Sequence, residues 1–114
     1  MRTTQRKGDI AKCQAISTFT KMGYDVGILL TESASYDIIV DVEGILHKVQ
    51  VKYSTSKEVD LRCIHSNSKG YVVNKYKEKD FDWLYVYTSD ENEYLIKKCL
   101  FNQSTYTLRE TDKI

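Results

Sequence analysis

Proline is absent from the 114 residues and glycine occurs five times, at Gly8, Gly23, Gly27, Gly44 and Gly70, so no linker rich in either divides the chain. A single domain spanning residues 1–114 is expected, since a chain of this length has no room for a second core. No apolar run approaches the roughly 20 residues that span a bilayer. The opening segment carries Arg2, Arg6 and Lys7 but continues into Asp9 and an amphipathic stretch, which is not the pattern of a secretory leader. Cysteine is also sparse. Cys13, Cys63 and Cys99 are odd in number, far apart and never in the close pairs that chelate zinc or run redox chemistry, so free thiols in a reducing cytoplasm are expected. An excess of charge is lacking too: Lys+Arg 17 against Asp+Glu 16 leaves a net +1 and no global attraction to nucleic acid. Any such binding must come from a local patch or from charges gathered by an oligomer. What is present, 41% apolar and 29% charged residues, is the composition of a globular domain.

From Asp9 to Met22 apolar residues recur at Ala11, Ala15, Ile16, Phe19 and Met22, which predicts a helix closed by Gly23. Val26 to Thr31 and Tyr36 to Val42 read as strands, separated by the polar stretch Glu32 to Ser35. Glu43-Gly44 offers a tight reversal into Ile45 to Tyr53, so residues 36–53 form a hairpin, followed by a loop over 54–60. Leu61 to His65 and Tyr71 to Val73 read as short strands around a turn at Asn67 to Gly70. Trp83 to Tyr87 and Glu93 to Lys97 flank a run of turn formers and make a second hairpin, and an edge strand is expected around Thr105 to Leu108. The fold class is α/β in the broad sense (α+β): an N-terminal helix packed on a central mixed β-sheet.

In Leu46 to Lys52 the strand period of two puts His47, Val49 and Val51 on one face and Lys48, Gln50 and Lys52 on the other. Asp37 lies on the paired strand, so an acid, an amide oxygen and an ammonium can converge there. Such a trio suits phosphodiester chemistry. The acid and the amide oxygen would hold Mg²⁺ (or Mn²⁺), while the lysine would act on the attacking water or the charged phosphate. The plainer alternative is that Lys48, Gln50 and Lys52 form a solvated sheet face.

The order and spacing of Lys7-Gly8-Asp9-Ile10 opening the helix, Gly23-Tyr24-Asp25-Val26 after it, Tyr36-Asp37, Val49-Gln50-Val51-Lys52 and Phe81 to Tyr87 resemble the PD-(D/E)XK nuclease superfamily over about residues 5–97. Within it the chain is most similar to the group I intron-associated (homing) endonucleases and more distantly to the archaeal Holliday junction resolvases. The resemblance implies a restriction-endonuclease-like core, Asp37 as the metal-binding acid, Gln50 in the second acid's position and Lys52 as the catalytic lysine. It also implies double-stranded DNA as substrate. A homo-oligomer, a symmetric dimer or tetramer, is expected on separate grounds: 114 residues offer too small a surface to read a long DNA site, and two active sites are needed to cut both strands. Tyr36 stands for the proline of the family name, which does no chemistry. Gln50 stands for the usual acid, as it does in the intron-associated branch. On the helix, Lys12 stands where the family carries glutamate. The alternatives to an endonuclease of the homing type are a Holliday junction resolvase and a catalytically impaired DNA-binding module of the same fold.

Lys12 is also singular on the helical wheel, which sets it between Ile16 and Phe19 near the middle of the apolar face, apart from Gln14, Thr18 and Lys21. Either its stem runs along apolar surface to put the ammonium in water, or the ammonium faces Asp37, pairing with it or contacting the scissile phosphate. Arg2, Arg6 and Lys7, with Lys48 from the polar strand face, are the candidate DNA contacts. A second basic run, Lys69, Lys75, Lys77 and Lys79, is interleaved with acids from Glu78 onwards. His47 reads as a core or interface residue, and His65 has no assigned partner. The nine tyrosines are explained mainly by strand packing.

Overall fold

The computed structural model describes residues 3–67 and 70–114, and for 63–67 and 70–73 the backbone alone. Arg2, Lys69 and the tip of the expected turn at Asn67 to Gly70 lie outside the described residues, as do the side chains of Cys63 and His65.

The helix, α1, runs from Thr3 to Lys21, starting six residues before the expected Asp9. Its first turns are mostly exposed, so burial could not have signalled them. Ala11, Ala15 and Phe19, spaced by four, are fully buried and set the face that packs. Thr18, expected on the polar face, is half-buried and donates to Glu93 Oε1 of the sheet. The helix stops at Gly23, whose φ of +88° is open to glycine. There Gly23 N donates to Thr20 O at 3.0 Å and Tyr24 N to Phe19 O at 3.1 Å, the paired bonds of a Schellman end. The Tyr24 ring stacks on Phe19 at 6.4 Å, supplying the apolar contact that accompanies this motif.

Five strands form the central sheet in the order β1 (Asp25–Ile28), β2 (Ile38–Val42), β3 (Ile45–Ser54), β7 (Trp83–Thr88), β8 (Glu93–Ile96). β3 and β7 are parallel and the other neighbours antiparallel, so the sheet is mixed as expected. The β2–β3 hairpin turns on Glu43 (φ +52°) and Gly44 (φ +88°), two left-handed residues that match the twist of the flanking strands. β1 is shorter than the expected Val26 to Thr31, because only Asp25–Ile28 finds partners on β2.

Phe19 packs among Tyr24, Trp83 and Tyr85, with Ile38, Val40 and Val49 beneath, and this is the core between α1 and the sheet. The opposite sheet face turns Leu84, Val86, Tyr94 and Ile96 towards Val59, Leu61, Tyr76, Phe81, Leu100 and Leu108. Two corrections follow from that second layer. Residues 58–60 are a strand, β4 (Glu58–Asp60), and not part of a loop; the strand near the C-terminus, β9 (Thr105–Thr107), pairs with β4 in a separate sheet and is no edge of the central one. The pairing buries Val59, 1% exposed; Leu108, 5% exposed, follows directly after β9 and donates its N–H to Lys57 O at 2.7 Å. β5 (Arg62–Asn67) and β6 (Gly70–Lys75) pair with each other as an antiparallel ribbon. A 3₁₀ turn at Glu110–Asp112 ends the chain.

Candidate active site

The β2–β3 register places Ile38 opposite Val49, and the residue before β2, Asp37, donates its N–H to Val49 O at 2.9 Å. Asp37 therefore sits beside Gln50, one step along the same ladder. Its carboxylate Oδ2 accepts the Val51 N–H at 2.8 Å, which fixes the side chain against β3. Gln50 turns its amide nitrogen towards Val51 O at 3.5 Å, which leaves the amide oxygen to accept a hydrogen bond or to ligate a cation. Asp37 and Gln50 share a cleft of about 610 Å³ with Glu32, Tyr76 and Lys77 among its walls.

Lys52 is two residues further along the same face. Its Nζ lies 5.4 Å from the centre of the Tyr76 ring. Tyr76 is 4% exposed, packs edge-on against Phe81 at 5.1 Å, and so is a rigid seat for the ammonium at the cleft wall. Asp60 lies within the field of Lys52, but its carboxyl is held below the usual carboxylate range mainly by hydrogen bonds from Arg62 and only last by Lys52. The Asp60–Arg62 fork, with two contacts of 3.0 Å, keeps that acid occupied.

Lys12 is half-buried on α1 and lines a second cleft, about 310 Å³, together with Asp37, Tyr36 and the 29–34 connection. Asp37 stands between the two clefts. Glu32 also borders both, and sequence reading passed over it as part of a polar connection; its nearness to Asp37 depends on how the 29–37 segment folds back, which no local pattern encodes.

The remaining basic candidates are distributed differently. Lys48 is half-buried, its Nζ bonded to Lys79 O and 5.7 Å from the Tyr36 ring, while Asp82 Oδ2 accepts its backbone N–H at 2.8 Å. Lys7 lies 5.7 Å over the Tyr53 ring, on the face of β3 that carries Val51. Arg6 is exposed on α1. His47 stacks on Trp83 at 4.3 Å with planes 17° apart, as a packing residue. Cys13 and Cys99 are free.

Among the described residues no three His, Cys, Asp or Glu gather into a metal-binding group. The donors at hand, one carboxylate from Asp37 and one amide oxygen from Gln50, fit a hard cation that keeps several waters and takes further oxygens from a substrate phosphate. They do not fit a closed, all-protein cage.

The central hairpin of this helix-backed mixed sheet sets Asp37, Gln50 and Lys52 on one face. The chain belongs to the PD-(D/E)XK endonuclease family, whose model matches residues 2–114. Among solved structures it is similar to a bacterial homing endonuclease, at 39% sequence identity and a TM-score of 0.81, over 97% of this chain and 81% of that one. Comparison with curated proteins gives no match.

Proposed function

We propose that the protein is a divalent-metal-dependent endonuclease of the homing type, acting on double-stranded DNA as one domain over residues 1–114. The observation that carries this reading is the cross-strand placement of Asp37 beside Gln50 in a cleft whose wall, Tyr76, seats Lys52. Asp37 and Gln50 would hold Mg²⁺ (or Mn²⁺). The ion supplies charge neutralisation at the phosphate and a more acidic bound water. Asp37 is kept aimed by the Val51 N–H, so a fixed carboxylate meets the substrate. Lys52, raised on the Tyr76 ring, would offer its ammonium to the charge that grows on the phosphoryl oxygens, or take a proton from the attacking water when neutral. Arg6 and Lys7 on α1 would add phosphate contacts, with Lys48 contributing near Tyr36; Arg2, the remaining candidate contact, lies outside the described residues.

A catalytically impaired variant of the same machine is the second reading, favoured by Lys12 lining a cleft with Asp37. An ammonium there opposes the cation that Asp37 would hold. Cleavage of linear duplex and of four-way junctions, in Mg²⁺ and in EDTA, separates these readings. Mg²⁺-dependent cutting of linear duplex supports the homing type, junction-only cutting replaces it with a resolvase, and duplex binding without cutting supports the impaired form.

A homo-oligomer, dimer or tetramer, belongs to the same proposal, because two sites are needed to cut both strands. Ile28 and Leu30 by the open edge strand β1, 61% and 97% exposed, and Ile45 and Leu46 by the hairpin turn, 65% and 63%, are large apolar side chains left for such contacts. Light scattering at micromolar concentration tests it, and a monomer with and without DNA would refute it. A reducing cytoplasm suits the unpaired Cys13 and Cys99.

A further inference from the structure

The β5–β6 ribbon is unlike the rest of the fold. Its strands, six residues each, bond to one another and, among the described residues, to no other strand. At roughly 3.3 Å per residue it reaches about 20 Å. Chain composition changes there as well: residues 61–77 contain four cations, Arg62, Lys69, Lys75 and Lys77, and no carboxylate, whereas the remaining residues carry more Asp and Glu than Lys and Arg. At the root of the ribbon Tyr76 is turned into the core while its neighbours Lys75 and Lys77 are exposed. Asn74, Lys75, Tyr76 and Lys77 also line the cleft that holds Asp37 and Gln50.

We propose that this ribbon is a DNA-holding arm, with Lys75 and Lys77 at its root bound to backbone phosphates next to the one presented to Asp37. The inference rests on the nuclease reading and adds how the duplex is gripped. Both lysines line the same cleft as Asp37 and Gln50, so phosphates flanking one held there lie within reach of their ammoniums. A two-stranded ribbon that pairs with no further strand among the described residues has the width to enter the major groove. Arg62 contributes less, because its guanidinium is already forked onto Asp60 at 3.0 Å. The rival occupant is the edge of a second copy, since unpaired strand edges invite pairing. The one-signed charge favours a polyanion over a copy of a chain whose net charge is +1.

The test measures binding of the full chain to a labelled linear duplex in EDTA, across a series of salt concentrations. Each phosphate contact contributes about 0.9 to the slope of log K against log salt. Lys75→Ala with Lys77→Ala should flatten that slope by about 1.8. The control pair Lys98→Ala with Lys113→Ala removes the same charge from exposed sites away from the cleft and should leave the slope within about 0.5 of wild type. Because Lys75 and Lys77 are exposed, unfolding midpoints of both variants should match wild type. A wild-type slope in the Lys75/Lys77 variant overturns the arm and leaves the nuclease reading standing. Absence of duplex binding by the wild type overturns both. A smaller assembly by light scattering with an unchanged slope overturns the arm in favour of contact between copies.

Discussion

Towards α1, β3 offers His47, Val49 and Val51; away from it, the same strand offers Lys48, Gln50 and Lys52. The first set lies beside Trp83 and Tyr85 of β7, and Phe19 of α1 packs on those rings, holding the sheet to the helix. The second set is half-buried among polar neighbours, next to a cleft. Alternation along one strand thus separates stability from chemistry, although the two sets are adjacent at every residue. The separation is incomplete at Asp37, whose carboxylate both faces the cleft and accepts a backbone N–H from the closed side's Val51.

If the faces divide labour in this way, substitutions on each should move different observables. The largest effect is expected on the open face. Asp37→Asn, which retains an acceptor for the Val51 N–H, and Lys52→Ala should each lower Mg²⁺-dependent cleavage by at least about 10³-fold, with unfolding midpoints close to wild type. Wild-type rates in both would remove Asp37 and Lys52 from the site. On the closed face, Phe19→Ala empties space among three aromatic rings and should cost about 3–5 kcal/mol in urea unfolding. A cost below about 1 kcal/mol would show that the helix does not seal that face as described.

The difference between the faces also explains what could be read from sequence. The helix core, both hairpins and the α+β class were legible because each is written in local periodicity and turn chemistry: Ala11, Ala15 and Phe19, then Glu43-Gly44. The polar face of β3 was legible for the same reason. The β4–β9 pair was not, because Val59 and Tyr106 meet across 47 residues with no local signal. The walls of the clefts were hidden likewise. Tyr76 as the seat of Lys52, and Glu32 beside Asp37, arise from tertiary placement of segments that look like ordinary loop or strand residues. The start of α1 at Thr3 escaped because an exposed helix end needs no apolar pattern.

Lys12 belongs to the closed side by sequence and to the open side by position, since it lines a cleft with Asp37. Lys12→Glu replaces a cation by an anion near the ion that Asp37 would hold, which should tighten metal binding by about tenfold or more. Calorimetric titration with Mg²⁺ or Mn²⁺ should therefore show tighter binding in the variant, accompanied by faster cleavage. Equal affinities would place Lys12 outside the field of the site.

The smallest effect is expected where neither face is involved, at the turn that joins β2 to β3. Gly44 has a φ of +88°, and a Cβ placed there meets nothing within 4 Å, so Gly44→Ala costs backbone strain alone. That strain is about 1–2 kcal/mol. Gly44→Asn should cost less, because a short amide side chain tolerates the left-handed conformation. Both variants should retain wild-type cleavage, since the turn beside Val42 and Ile45 lies at the opposite end of the hairpin from Asp37 and Gln50. Urea midpoints ordered wild type, Asn, Ala, with one common cleavage rate, would show that the hairpin carries the site at one end and its own folding signal at the other. A loss of cleavage in proportion to stability would instead show that the site depends on the whole hairpin's register.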